Sequence, residues 1–197
     1  LTDELIEAIE NATTLTELDD IYRPFRPHRK TRASVAREKG LEGLATLLME
    51  QRESYEPDLD TLAAEYVNEE KGVETAEDAL KGAMDIIAEN ISDDADIRRR
   101  LRNLFTVIGV VSTSAADKDA ESVYSNYYEY SEPVNKIAGH RVLAINRGEK
   151  EDFLKVEVTL SEEDGIAQLV SRVVTNKQSP ALPRIMDTLK DAYDRLL

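Results

Sequence analysis

The sequence predicts a mostly α-helical fold: an irregular multi-helix scaffold with one short β element near residues 153–160. Three observations carry this. Apolar residues recur with a period close to 3.6 along almost the whole chain. Capping residues stand in phase with that period where it starts. A single stretch alternates with period 2 instead. The chain has 197 residues, 41% hydrophobic and 33% charged, which is long enough to bury a core as one domain or two small ones.

In chain order, Thr2 caps a helix carrying Leu5, Ile6 and Ile9, and Thr14 with Glu17 forms a capping box opening a second that includes Leu18 and Ile21. After an extended Pro24–Pro27 segment, a helix over Thr31–Lys39 stops at Gly40, the residue type best able to turn left-handed past a helix end. Leu41, Leu44, Leu47 and Leu48 mark the next helix. Asp58 caps one bearing Leu59, Leu62, Ala63 and Tyr66, and Thr75 with Asp78 opens a longer one bearing Leu80, Ala83, Met84 and Ile87.

Ser92 is read as the start of the strongest periodic segment, in which Ile97, Leu101, Leu104, Phe105 and Ile108 form one buried face. Arg99 points directly away from that face, with Arg98, Arg100 and Arg102 on its flanks. A tyrosine-rich helix is predicted over Asp117–Tyr130, with Tyr124, Tyr127 and Tyr128 at core spacing and Pro133 closing it. Residues 137–148 fit a short helix or a strand, and helix is the reading taken.

Leu154, Val156, Val158 and Leu160 alternate with polar neighbours and predict one half-buried strand. A lone strand needs a partner, either the 141–146 segment, another molecule or a missing part of the protein. Ser161 with Asp164 opens a helix bearing Ile166, Leu169, Val170 and Val173. Ser179–Pro183 breaks the pattern, and a last helix carries Ile185, Met186, Leu189, Ala192, Tyr193 and Leu196.

Composition removes several functions. No cysteine occurs, so disulfides, thiolate metal sites and cysteine nucleophiles are out, and a reducing cytoplasm is the expected setting. The longest uncharged stretch, Asn103–Ala116, holds 14 residues, several of them polar, against roughly 20 apolar ones for a membrane span. No secretion signal is expected, and the opening Leu1 implies a processed chain or an excised piece. There is no glycine-rich phosphate loop, nucleophile elbow or His-Glu-x-x-His pair. His28 and His140 belong to no spaced ligand set, and neighbouring acids such as Asp93 with Asp94 read as solvated surface. No enzymatic activity, metal or cofactor is therefore expected.

One segment stands apart. Residues 23–39 hold seven Lys/Arg against the single acid Glu38, a local charge of +6, whereas the remaining 18 bases and 39 acids leave −21 elsewhere. Arg23, Arg26, His28, Arg29, Lys30, Arg32, Arg37 and Lys39 are thus the candidate nucleic-acid-binding residues, with Tyr22 and Phe25 available to stack on bases. The same arginines equally suit ion pairs with the chain's own acidic helices. Both readings stand at this point.

The string Tyr22-Arg-Pro-Phe-Arg-Pro-His-Arg-Lys-Thr-Arg-Ala-Ser-Val-Ala-Arg-Glu-Lys-Gly-Leu-Glu-Gly-Leu-Ala45 closely resembles the signature near the start of the Tex family of bacterial transcription accessory proteins. Asp19-Asp-Ile-Tyr22, Tyr66-Val-Asn-Glu-Glu-Lys-Gly-Val73, Gly139-His-Arg-Val-Leu-Ala-Ile-Asn-Arg-Gly148 and Asp191-Ala-Tyr-Asp-Arg-Leu-Leu197 are similar to it too, in order from end to end. The resemblance implies that residues 1–197 are a piece of the N-terminal helical region of a longer protein. That piece is subdivided into a helical array over 1–130 and a mixed segment with C-terminal helices over 131–197.

It further implies a ribonuclease-H-like YqgF domain, helix-hairpin-helix elements and an OB-type RNA-binding domain elsewhere in the complete protein, the last carrying most of the nucleic-acid binding. Expected partners are RNA or DNA through the whole protein, the transcription machinery and those missing domains, with no membrane. The functional expectation is a cytoplasmic helical scaffold that supports nucleic-acid binding in transcription. The alternative is an acidic helical protein-interaction adaptor with no direct nucleic-acid contact.

Overall fold

The computed structural model of the chain describes residues 3–25 and 30–196. Among them are ten α-helices and one small sheet, so the fold is mostly α with a short β component. The elements are α1 (Asp3–Asn11), α2 (Leu15–Tyr22), α3 (Arg32–Glu38), α4 (Glu42–Met49), α5 (Leu59–Ala64), α6 (Ala76–Asp93), α7 (Ala95–Ile108), β1 (Val110–Ala115), β2 (Glu129–Pro133), α8 (Gly139–Lys150), β3 (Leu154–Thr159), α9 (Glu162–Val173) and α10 (Leu182–Leu196). The chain forms two compact units, residues 1–99 with 166–197, and residues 100–165.

The first unit is organised around α6, which packs against α3, α4, α5 and α10. Its boundary follows from the capping box: Asp78 N donates to Thr75 Oγ1 at 3.0 Å and Thr75 N to Asp78 Oδ2 at 3.2 Å. Because partners surround it, α6 buries more than one stripe, including Ala79, Leu80, Ala83, Ile86, Ile87, Ala88 and Ile91. Leu41, Leu44 and Leu48 from the α4 region and Ile185, Leu189, Ala192 and Tyr193 from α10 close the core around it. Gly82 makes a close approach possible: a Cβ there would overlap Leu41 Cδ1 and lie 3.4 Å from Ala36 Cβ.

The other starts follow the same local chemistry. Thr14 with Glu17, Thr31 with Ser34, and Asp58 through Thr61 N at 2.7 Å cap α2, α3 and α5. Gly40 takes φ +83° after α3, as the helix stop requires. Thr2, the expected cap of α1, lies outside the described residues. Tyr66 falls just beyond α5, which ends at Ala64.

Gln51 ties two distant stretches of this unit together. Buried and left-handed at φ +46°, it donates from Nε2 to Val173 O at 2.8 Å and accepts Thr175 N on Oε1 at 2.9 Å. Its carbonyl accepts Asn176 Nδ2 at 3.1 Å.

Ser92 does not start the arginine-bearing helix. It lies in the last turn of α6, where its hydroxyl donates to Glu89 O at 2.9 Å. Asp94 takes the capping role instead, its extended backbone (ψ 119°) breaking the helix and its carboxylate accepting Ile97 N at 2.8 Å. The apolar stripe of α7 also fades along its length: Ile97 and Leu101 are buried, Leu104 and Phe105 intermediate, and Ile108 is 42% exposed. It is therefore not one buried face.

The second unit is a three-stranded antiparallel sheet of order β2-β1-β3 with α8 packed against β3. β3 forms as the alternation predicts, and the 137–148 segment is helical. The strand's partner is β1, with Val111 opposite Val158 and Thr113 opposite Val156, so neither the 141–146 segment nor another molecule is needed to pair it. Gly109 stops α7, its N–H donating to Phe105 O at 2.9 Å, and the β-branched Val110, Val111 and Thr113 take up the extended chain.

The tyrosine-rich segment is not an α-helix and holds only a single 3-10 turn, Ser125–Tyr127. Asp119 N donates to Asp117 Oδ1 at 3.0 Å and Tyr124 N to Ser122 Oγ at 3.1 Å, side-chain bonds that displace helical ones. Residues 129–133 then pair with β1, so Pro133 ends a strand rather than a helix. Gly148 lets α8 meet β3, since a Cβ there would sit 2.6 Å from Leu154 Cδ1.

Candidate nucleic-acid interface

The basic segment enters the first unit opposite one edge of α6. Asp85, Glu89 and Asp93 recur every four residues and form a carboxylate ladder along that helix. Each rung takes an arginine. Arg32 Nε lies 3.2 Å from Asp85 Oδ1, Arg37 Nη1 donates to Glu89 Oε1 at 2.6 Å, and Arg23 Nε donates to Asp93 Oδ1 at 2.9 Å. Arg37 also reaches Asn90 Oδ1 at 2.8 Å.

Arg32 extends the network to α10, with Nη2 on Asp191 Oδ1 at 2.8 Å. Arg195 crosses between the same two acids, 3.2 Å from Asp85 and 2.6 Å from Asp191. The two carboxylates share both guanidiniums yet shift in opposite directions. Burial dominates at Asp85 and raises its pKa above the ordinary aspartate value. Burial pulls Asp191 the same way, but hydrogen bonds from Arg32 and Arg195 outweigh it and hold that carboxyl below the ordinary value. The hydrogen bond to Asp191 raises Arg32 in turn.

Lys30 and Lys39 differ from these arginines. Lys39 Nζ donates to the carbonyl of Gly72 at 2.9 Å, while Lys30 is exposed with no carboxylate within 4 Å among the described residues. Arg26, His28 and Arg29 lie outside the described residues. Tyr22 and Phe25 are 54% and 59% exposed.

The second arginine group is also engaged. Arg98 Nε donates to the buried Asp20 at 2.8 Å, and Arg99 Nη2 lies 2.5 Å from Asp96. The tyrosines of the second unit are structural contacts. Tyr124 is buried against Phe153, with ring centroids 5.8 Å apart, and donates to Glu151 Oε2 at 2.9 Å. Tyr130 donates to Glu132, which also accepts Arg141 Nη1 at 2.9 Å. No group of three or more metal-ligating side chains converges among the described residues. No helix among them is long and apolar enough to cross a membrane.

A mostly helical body clamped by arginine–carboxylate pairs, with a small antiparallel sheet inserted between α7 and α9, defines the class of this protein. Residues 54–191 match the family model described as Tex central region-like, and the chain belongs to that family. The uncharacterized protein YdcI of Bacillus subtilis is 42% identical over 203 residues, covering 100% of this chain and 28% of that relative. The transcriptional accessory protein Tex of Neisseria gonorrhoeae is 33% identical over 166 residues, covering 83% of this chain and 21% of the relative. The human S1 RNA-binding domain-containing protein 1 is 31% identical over 211 residues, covering 98% and 20%. The chain thus spans between a fifth and somewhat over a quarter of the length of these relatives.

Proposed function

We propose that this chain is a non-catalytic helical scaffold within a Tex-like transcription accessory protein of the cytoplasm, bracing the part of the whole protein that binds RNA or DNA. The observation that carries this reading is the ladder on α6: among the described residues, Arg23, Arg32 and Arg37 of the basic segment pair with Asp93, Asp85 and Glu89, and Arg32 joins α3 and α10 to the central helix. Removing one partner of such a pair leaves the other charge on the helix without its counter-ion, and that loss is what the arginine variants read. The names of the gonococcal and human relatives, transcriptional accessory and S1 RNA-binding, supply the transcriptional and RNA context.

The test has two arms. Arg32→Ala/Arg37→Ala should lower the urea midpoint clearly. The purified chain should leave labelled RNA and DNA intact with magnesium or manganese present. Unchanged stability in the double variant, or metal-dependent cleavage that co-purifies with the chain and is lost on mutating one of its carboxylates, overturns the reading.

A further inference from the structure

We infer that the cleft between α3 and α6 is an anion site that holds phosphodiester groups of a nucleic-acid strand on the ammonium groups of Lys30, Lys39 and Lys81. The cleft has a volume of about 440 Å³ and is walled by Thr31, Arg32 and Val35 on one side and by Asp78, Lys81 and Asp85 on the other. Asp78, Lys81, Gly82 and Asp85 share one face of α6 because they stand three, four and seven residues along it.

The charges in this cleft are of two kinds. Its two acids are occupied: Asp78 accepts Thr75 N in the capping box, and Asp85 lies 3.2 Å from both Arg32 and Arg195. Arg32 is held in turn by Asp85 and Asp191. The three lysines are not held in this way, since no carboxylate lies within 4 Å of Lys30, Lys39 or Lys81 among the described residues.

Left-handed glycines let one of these ammonium groups reach the cleft. Gly40 and Gly72 turn left-handed at φ +83° and +71°, and each lets a lysine from the other loop pass beside it. Lys39 Nζ lies 3.7 Å from where a side chain on Gly72 would begin, and Lys71 Nζ lies 3.8 Å from the same point on Gly40.

Lysine ammonium groups bind phosphate oxygens as point charges, and the one guanidinium lining the cleft, Arg32, is already paired with Asp85 and Asp191. The scaffold reading supplies the setting, but the two stand separately. Stability of the arginine variants tests the scaffold, and binding by the lysines tests the cleft.

The experiment is fluorescence anisotropy on the 197-residue chain with labelled single strands of about 12 uridine or thymidine nucleotides, between roughly 25 and 200 mM KCl. Binding should saturate, with a log–log salt slope of about −2, from about −0.7 for each of three phosphate contacts. Lys30→Gln/Lys81→Gln should weaken it at least about tenfold with an unchanged urea midpoint, since neither side chain makes a hydrogen bond among the described residues. Lys39→Gln should weaken it as well. No binding at the lowest salt, or binding that survives the double variant, overturns the inference. Equally tight binding of polyglutamate, or competition by uridine monophosphate at strand-like concentrations, overturns the assignment to a strand.

Discussion

Arg37 Nη1 donates to Glu89 Oε1 across 2.6 Å, and the carboxylate that receives it is 10% exposed on the central helix. The guanidinium, 32% exposed, is thus drawn inward from a segment whose composition points outward. Arg37→Ala removes the hydrogen bond while leaving Glu89 in its buried position, and should cost about 1–3 kcal/mol. Arg99→Ala, whose side chain is 59% exposed beside Asp96, should stay within about 0.5 kcal/mol. Parallel urea melts of the two variants decide this, and equal effects would mean that Arg37 is not a structural cation.

The fading stripe of α7 predicts unequal costs along one helix. Leu101, 5% exposed, should lose about 2–5 kcal/mol on truncation to Ala, and Ile108, 42% exposed, less than about 1 kcal/mol. Chemical denaturation of both variants measures the difference. A similar loss at both positions would show that Ile108 packs as tightly as Leu101.

Two helical glycines should respond oppositely to the same change. Gly82→Ala gains helix propensity but drives a methyl into Leu41, and should destabilise by about 1–3 kcal/mol. Gly139→Ala meets nothing within 4 Å at the start of α8 and should stabilise by up to about 1 kcal/mol. Thermal midpoints moving in opposite directions confirm the close approach of Leu41 to α6.

Acid should act in two phases. Glu77 is held below its ordinary value of 4.5 by hydrogen bonds from Arg184, with Nη1 and Nη2 each on one carboxylate oxygen. Asp191 also lies below its ordinary 3.8. Their stabilisation is present above those ordinary values and is lost as the pH falls through their lower folded values. Asp85 has the opposite sign: burial lifts its folded pKa above 3.8, so its ionised form costs stability, which returns as the pH falls through that raised value. Urea midpoints from pH 7 downward should therefore show a shallow gain or plateau before the fall. Asp85→Asn should remove the plateau, and Glu77→Gln should soften the fall. A curve unchanged by both variants would refute the assignment.

Helix starts were legible because a cap is a local event: Thr14 with Glu17 and Thr75 with Asp78 close hydrogen bonds within four residues, and no tertiary contact is needed to read them. The tyrosine segment was not, since Tyr124, Tyr127 and Tyr128 have helical spacing while their roles are set by distant partners such as Glu151 and strand β1. β1 itself carries a readable signal, Gly109 followed by Val110 and Val111, that the apolar period of α7 obscures. The basic segment announced itself by charge, and the acids every fourth residue on α6 are visible in the sequence. Their pairing is not, because Arg37 and Glu89 are 52 residues apart and only packing of α3 on α6 brings them together.

Packing of α10 on α6 has a consequence for synthesis on the ribosome. The two helices are separated by some ninety residues, Asp93 ending one and Leu182 starting the other. At about 5–20 residues per second, the apolar flank of α6 that α10 covers must wait roughly 5–20 s for its cover. During that interval the entire second unit is translated, so every strand of the sheet is synthesised before the helical body can be completed.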